Sequence, residues 1–307
     1  MQDKLRKTNL KLSKKQKMRT AHLILTYTDP EQTERMIKKM MHEDFDFYIH
    51  VDKKFDINPH LFLKKLPNVY FINNRVNVKW AGYNTVKATF ECIKEIVSKG
   101  IAYKYINFLS GQDYPLKSAA ELADFFDKNS GKEFLSYRDI KNDWKEGLIR
   151  MEKYFLANHN FKGKHTIEKV INFVMPRRKL PYNLHPYGKS MFWILSPEAA
   201  MHVVNKVEND KKLINFFTLC WASDEFVFQT ILLNSSYKDK IINENYRYID
   251  WSLGGANPKL LDENDFDAIQ RSNMLFTRKV EKTKSAKLMD LIDTKLLMLI
   301  TILTWLI

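Results

Sequence analysis

A mixed α/β fold, with a mainly parallel central sheet flanked by helices, is what this sequence predicts. Three observations carry that expectation. Short apolar runs alternate with amphipathic stretches from Ala21 to Val280. The runs are themselves apolar, as strands covered by helices must be. No Pro/Gly/Ser-rich linker and no fixed-period repeat divides the body, so it reads as one domain.

The elements follow in order. HLILTYT (22–28) reads as a buried strand, and DPEQTERMIKKM as a helix opened by Asp29 and Pro30. DFYIHVD (46–52), NVYFI (68–72), KYINFLSG (104–111), SMFWILS (190–196) and RYIDW (247–251) read as further strands. Helical stretches lie at about 84–99, 118–128, 197–208 and 223–235. The segment 137–187, rich in Lys, Arg, His and Asn, breaks the pattern and reads as a partly irregular insertion near the functional face.

Composition narrows the functional classes. With 307 residues the chain is long enough to bury a core, and 45% apolar with 28% charged residues argues against disorder. Fifty Lys and Arg against 36 Asp and Glu leave a net charge of +14, which invites an anionic partner. Two cysteines, Cys92 and Cys220, exclude a disulfide framework and a Cys-rich zinc site. None of the nine glycines forms GxGxxG or GxxxxGK[ST], so a dinucleotide or P-loop site has no support.

The two ends differ from the body. Residues 1–20 are a basic arm in which Lys4, Lys7, Lys11 and Lys14 recur at helical spacing. With Arg6, Lys15, Lys17 and Arg19 against Asp3 alone, the arm holds half the net charge. It suits either an anionic membrane surface or a solubilising tail. No apolar core follows it, so a secretory signal is not expected. After Lys295 the chain runs LLMLITILTWLI, shorter than the roughly 20 apolar residues a bilayer span needs. That run either lies in the interface with Trp305 at headgroup depth or docks on the body. The expected organisation is an arm (1–20), a body (21–283) and an apolar C-terminal helix (284–307) that is a candidate interface anchor. The setting expected from these features is cytoplasmic, peripheral on the inner face of the membrane.

Ligands of open α/β sheets bind beyond the carboxyl ends of the strands. The polar residues there are Thr26 and Thr28, then His50, Asp52 and Lys53, then Ser110, Gln112 and Asp113. That row suits a nucleotide, with Asp52 placed to accept hydrogen bonds from ribose or base. A polar strand end is also how many plain loops begin.

The motifs YIHVDKK (48–54), WAGYNTVKA (80–88), INFLSGQDYPLKS (106–118), GKSMFWILS (188–196), SDEFVFQTIL (223–232) and LFTRKV (275–280) occur in one order. Together they resemble the core-2/I-branching N-acetylglucosaminyltransferase family, which also contains the peptide O-xylosyltransferases; bacterial members are the nearest in kind. The resemblance spans roughly residues 20–280. It implies a single GT-A-like domain, a UDP-sugar donor, and inverting transfer of a GlcNAc or xylose type sugar to a hydroxyl of a glycan, glycolipid or protein. It also implies no cofactor and no divalent metal.

The resemblance assigns roles by position. Inverting transfer needs a carboxylate to take the acceptor proton, and Glu225 in Ser223-Asp224-Glu225 matches the family's base. Read without the family, Ser223 is a helix N-cap and its acidic neighbours are first-turn residues. Arg247 and Lys279 match the Arg and Lys that neutralise the leaving diphosphate in place of a metal. Asp-x-Asp occurs only at Asp44/Asp46 and Asp265/Asp267, where a metal motif does not belong. Asp52 matches the uridine-binding strand end, with Thr26 and His50 beside it. Asp113 falls in the sugar pocket or caps the turn into Tyr114-Pro115. Trp80 and Tyr83 lie on the donor side, where an aromatic either stacks on a ligand or, more commonly, fills the core. Glu133 and Arg150 fall in the acceptor stretch without an assigned role.

Two other readings compete with transfer. One is a non-catalytic UDP-binding relative, opposed by Glu225 and Lys279 occurring together. The other is a nucleic-acid-binding protein, opposed by the concentration of charge in one arm and by the lack of a zinc finger or RNP motif. No nucleic acid is therefore expected among the partners.

Overall fold

The computed structural model of the chain describes residues 18–297. Most of the basic arm and the apolar run from residue 298 lie outside the described residues. The first four strands are β1 (Arg19–Thr26), β2 (Phe45–Val51), β3 (Val69–Phe71) and β4 (Tyr103–Ser110). After them come β5 (Tyr114–Pro115), β6 (Glu133–Asp139), β7 (Tyr187–Leu195), β8 (Ile241–Ile242), β9 (Arg247–Ile249) and β10 (Phe276–Arg278). A seven-stranded sheet has the order β3-β2-β1-β4-β7-β6-β8. β1 pairs in parallel with β2 and β4, and β2 with β3. β7 runs antiparallel to β4 and β6, and β6 parallel to β8. This mostly parallel sheet flanked by helices is the mixed α/β architecture that the sequence predicts.

Burial explains why the strands read as apolar runs. All seven residues of β2 are buried, because helices cover both faces. On one face Val86, Phe90 and Ile93 of the helix Asn84–Ser98 meet Val203 and Val207 of the helix Pro197–Glu208. On the other face lie Met36 and Ile37 of Pro30–Lys39, Leu122 and Phe126 of Ala119–Lys128, and Leu288 and Ile292 of Ala286–Lys295. Each such side chain contributes about 1.5–3 kcal/mol. Local chemistry sets the helix starts. Ser118 and Glu121 form a reciprocal capping box, and the Ser196 hydroxyl accepts from the Ala199 N–H.

Several expectations change. Arg19, counted with the basic arm, opens β1 and forks onto Asp46, with Nη2 at 2.6 Å from Oδ1. RYIDW does contain a strand, but β9 belongs to a second, three-stranded sheet of order β5-β10-β9. Asp29 opens the first helix from a left-handed conformation (φ 49°) without a side-chain cap. The insertion at 137–187 is more regular than its composition suggests, with helices at Ile140–Asp143, Lys145–Glu152 and Lys164–Val174. The helix Ala286–Lys295 docks on the body: Leu288, Met289 and Ile292 are buried, and Arg35 pairs with Asp290 at 2.6 Å and Asp293 at 2.8 Å. Leu296 and Leu297 continue onto the same cluster. Among the described residues no single helix is long and apolar enough to cross a membrane.

Candidate active site

The carboxyl ends of β1, β2 and β4 are stitched side by side. The Asp52 N–H donates to the Thr26 carbonyl (2.9 Å) and the Gly111 N–H to the Leu25 carbonyl (2.9 Å). Asp52 Oδ1 accepts from the Val78 N–H (3.1 Å), while Oδ2 lies 3.1 Å from Lys54 Nζ. The strand-end carboxylate thus anchors the loop that leads to Trp80. His50, on β2 just before Asp52, does the same, with Nε2 accepting from the Val76 N–H at 2.9 Å. Burial pushes its imidazole down to about 4, so it is neutral at physiological pH.

The smaller sheet delivers cations to this edge. Val280 N–H donates to the Gln112 carbonyl (3.0 Å), and Gln32 Nε2 bridges the carbonyls of Gly111 and Val280 at 2.7 and 3.2 Å. Arg278 and Lys279 therefore sit against the β4 end. Arg278 Nη1 stands 3.8 Å from Asp113 Oδ2, and its guanidinium lies 4.0 Å over the Phe192 ring. Asp113 is fully buried: Oδ2 accepts from the Ser110 N–H (2.6 Å) and hydroxyl (2.5 Å), and Oδ1 has no hydrogen-bond partner among the described residues. Lys279 is half-buried, and both burial and the neighbouring Arg278 lower its pKa.

Arg247 lies deeper than its expected role requires. It is buried in the interior, where Nη2 donates to Asn107 Oδ1 (2.8 Å) and the Phe108 carbonyl (2.5 Å), and Nη1 to the Asn245 carbonyl (2.5 Å). Burial pushes the guanidinium down to about 10. In this structure Arg247 ties β9 to β4, and the cation beside Lys279 at the edge is Arg278.

The third part of the site is the segment Trp221–Phe226. The expected continuous helix at 223–235 is interrupted: Ser223–Glu225 forms one 3-10 turn, and an α-helix follows at Val227–Leu233. Ser223 is not a cap, for its buried hydroxyl has no hydrogen-bond partner among the described residues. The cap reading of Ser223 therefore fails, while Asp224 and Glu225 do fall in the first turn, that of the short 3-10 helix. The turn is held from three sides. Ala222, at φ 54°, donates its N–H to the Ala81 carbonyl (2.8 Å), and the Trp221 N–H donates to the Arg150 carbonyl (3.1 Å). Gly188 of β7 packs so closely that a Cβ would stand 2.7 Å from the Glu225 carbonyl oxygen. The loop from Asp52 through Val78 to Ala81 thus runs unbroken to Glu225.

The Glu225 carboxyl group keeps 27% of its side chain open. Burial raises its pKa to about 8; adjacent Asp224 pushes in the same direction, and Arg150 opposes with Nη1 at 3.0 Å from Oε2. Asp224 is itself raised to about 6 by burial, and its Oδ1 has no hydrogen-bond partner among the described residues. A carboxyl group about a quarter open, with a pKa near neutral, suits proton transfer. Trp80 is 62% exposed and stands edge-on to Trp221 at 5.2 Å, an aromatic wall joined to the Glu225 segment. Tyr83 fills the core instead.

The family-model comparison matches residues 20–274 to the Core-2/I-Branching enzyme family. The chain belongs to that family. Its members are glycosyltransferases, and several curated relatives that match are called xylosyltransferases. Xylosyltransferase 2 of Homo sapiens is 26% identical over 85% of this chain and 32% of its own length. Xylosyltransferase oxt of Drosophila melanogaster is 22% identical over 81% and 30% respectively. The chain therefore spans about a third of the length of these relatives. Among solved structures, apo mouse xyloside xylosyltransferase 1 aligns over 84% of this chain and 97% of its own, at 13% identity and a TM-score of 0.40.

Of the predicted site residues, Asp52 lies at the carboxyl end of β2, and Asp113 and Lys279 lie at that of β4, with β1 between. Glu225 is joined to the β2 end by the 76–84 loop, and Arg247 stands behind the β4 end. Glu133 plays a structural part, accepting from the Ser196 N–H (2.7 Å) and hydroxyl (2.6 Å) at a helix start. Arg150 and Arg278 are the site residues to which sequence reasoning gave no role. Arg278 was adjacent to Lys279 in LFTRKV; nothing local marked Arg150, which reaches Glu225 from 75 positions away. Asp46 of Asp44/Asp46 is held by Arg19 and Tyr103, and Asp265 of Asp265/Asp267 by Lys259.

Proposed function

We propose that this chain transfers a sugar of the GlcNAc or xylose type from a UDP-sugar to a hydroxyl of a glycan, glycolipid or protein, with inversion and without a divalent metal. The observation that carries the reading is the raised Glu225 carboxyl group, partly open beside Arg150 on the segment that begins at Trp221, the ring partner of exposed Trp80. Glu225 takes the acceptor hydroxyl proton as that oxygen bonds to the anomeric carbon. The bond from the anomeric carbon to the UDP oxygen breaks with its electron pair. The charge that develops on the diphosphate is met by Lys279 and Arg278, fixed cations that need no coordination geometry. Asp52 accepts from the uracil or ribose, and Asp113 holds Ser110 and Arg278 in place beneath the sugar. The names of the relatives favour xylose as the first donor to try.

The test begins with thermal unfolding in excess EDTA, with and without UDP. Ligand at about 100 times its dissociation constant adds roughly 2.7 kcal/mol, an easily read rise. A rise in EDTA is expected. A rise only after manganese is added overturns the metal-free reading, and none in either condition overturns the uridine site. Glu225→Gln should then keep the UDP rise and lose transfer. Transfer by that variant at the wild-type rate sinks the base assignment, and UDP binding without turnover by the wild type favours the non-catalytic reading.

A further inference from the structure

The helix Lys164–Val174 turns two polar side chains, Glu168 and Asn172, toward the body: Glu168 Oε1 accepts from the Leu156 N–H (2.7 Å), and Asn172 exchanges hydrogen bonds with the Tyr154 N–H and carbonyl, both at 2.8 Å. Its apolar side chains turn outward, with Phe173 90%, Val174 65%, Val170 56% and Ile167 44% exposed. At 100° per residue these four occupy an arc of about 120°, opposite Glu168 and Asn172. No residue of this helix is buried. Met175 (50%) and Phe161 (43%) extend the apolar surface at its two ends.

Charge says what covers it. The stretch 161–179 holds six Lys and Arg, namely Lys162, Lys164, Lys169, Arg177, Arg178 and Lys179, against one acid, Glu168, which is turned inward. Lys162, Lys169 and Lys179 are exposed, Lys169 on the helix itself and the other two on the chain just before and after it. A second copy of the chain laid face to face would bring these like charges together. Apolar side chains flanked by lysines instead match the acyl boundary and headgroups of an anionic bilayer.

We propose that the helix Lys164–Val174 is a membrane-interface foot, laying Ile167, Val170, Phe173 and Val174 into the surface of an anionic bilayer. It is separate in the chain from both ends, and it holds whatever reaction the site performs. Through Tyr154 and Leu156 it is fixed to the segment that follows Arg150, so contact with a bilayer sets the orientation of that rim.

The test is sedimentation of the full chain with phosphatidylcholine vesicles that contain or lack phosphatidylglycerol. The wild type should sediment with the anionic vesicles, and binding should fall with salt. Replacing Val170, Phe173 and Val174 together by Ser should cut the partition coefficient about tenfold or more, with no loss of melting temperature. Replacing Lys162, Lys169 and Lys179 by Glu should cut anionic binding and flatten its salt dependence. Wild-type binding in the Ser variant would place the contact at the chain ends and overturn the proposal. So would a fall in its melting temperature, which would mean the face is packed. A wild-type mass of two copies that drops to one in the Ser variant would assign the face to a partner protomer instead.

Discussion

Arg150 donates from Nη1 to Glu225 Oε2 at 3.0 Å, across 75 positions of sequence. The same guanidinium pairs with Glu146 at 2.5 Å and lies 5.4 Å from the Trp144 ring centre. A residue with no assignable role in the sequence thus opposes the burial that raises the candidate base. Replacing Arg150 by Gln removes that opposition and lifts the Glu225 pKa above about 8. The rising limb of the kcat/KM profile should move to higher pH, and the rate near neutrality should fall about tenfold for each unit moved. A profile that keeps its limb would show that Arg150 does not set the protonation of Glu225.

Stability should carry the same signature. The folded pKa of Glu225, about 8, lies above its ordinary value of 4.5, so the folded chain holds a proton that the unfolded chain releases. Its contribution is therefore intact at low pH and is lost as pH rises between those two values. Glu225→Gln removes the dependence. The melting temperature of the variant minus that of the wild type should become more positive from about pH 5 to about pH 8. A flat difference across that range would contradict the raised pKa.

Lys279 and Arg247 should separate cleanly. Lys279→Ala should weaken UDP at least about tenfold, the weight of one hydrogen bond to a charged group, and barely move the unliganded melting temperature. Arg247→Met strands Asn107 Oδ1 and the Phe108 and Asn245 carbonyls. It should cost about 2–4 kcal/mol of folding stability. Calorimetric titration with UDP beside urea unfolding reads both effects, and the reverse pattern would exchange the two roles.

Gly188→Ala tests the floor of the Glu225 turn. The added methyl would stand 2.4 Å from Phe226 Cδ1 and 2.7 Å from the Glu225 carbonyl oxygen, too close for either to remain. Overpacking of this kind costs about 1–3 kcal/mol. Turnover should fall more than the affinity for UDP, because the methyl presses on the base and not on the β4 edge. A variant with wild-type turnover would show that the turn tolerates displacement.

Much of the fold was legible because the parallel strands are buried on both faces and so read as unbroken apolar runs. β1, β2 and β4 follow directly from HLILTYT, DFYIHVD and KYINFLSG. β6 was missed, since its ladder partners come from residues 187–194 and Ile241–Ile242. The sequence marks RYIDW as a strand but not its sheet, because the β10 partner that takes it into the smaller sheet lies about 30 residues on. The helix expected from 223 breaks at Phe226, where the packing of Gly188 and the Ala222–Ala81 hydrogen bond outweigh local propensity.

The ordered motifs alone were enough to place the chain in its family and to single out Asp52, Asp113, Glu225 and Lys279, because those residues sit beside recognisable strand ends and turns. Which cations stand where was settled by packing. Arg247 and Arg278 are both arginines in or beside short strands of one sheet, yet one is drawn inside by three hydrogen-bond acceptors and the other is left beside Asp113. The raised Glu225 pKa and the outward apolar face of Lys164–Val174 also required the folded chain. Both depend on what stands opposite a side chain, and periodicity along the chain carries no record of that.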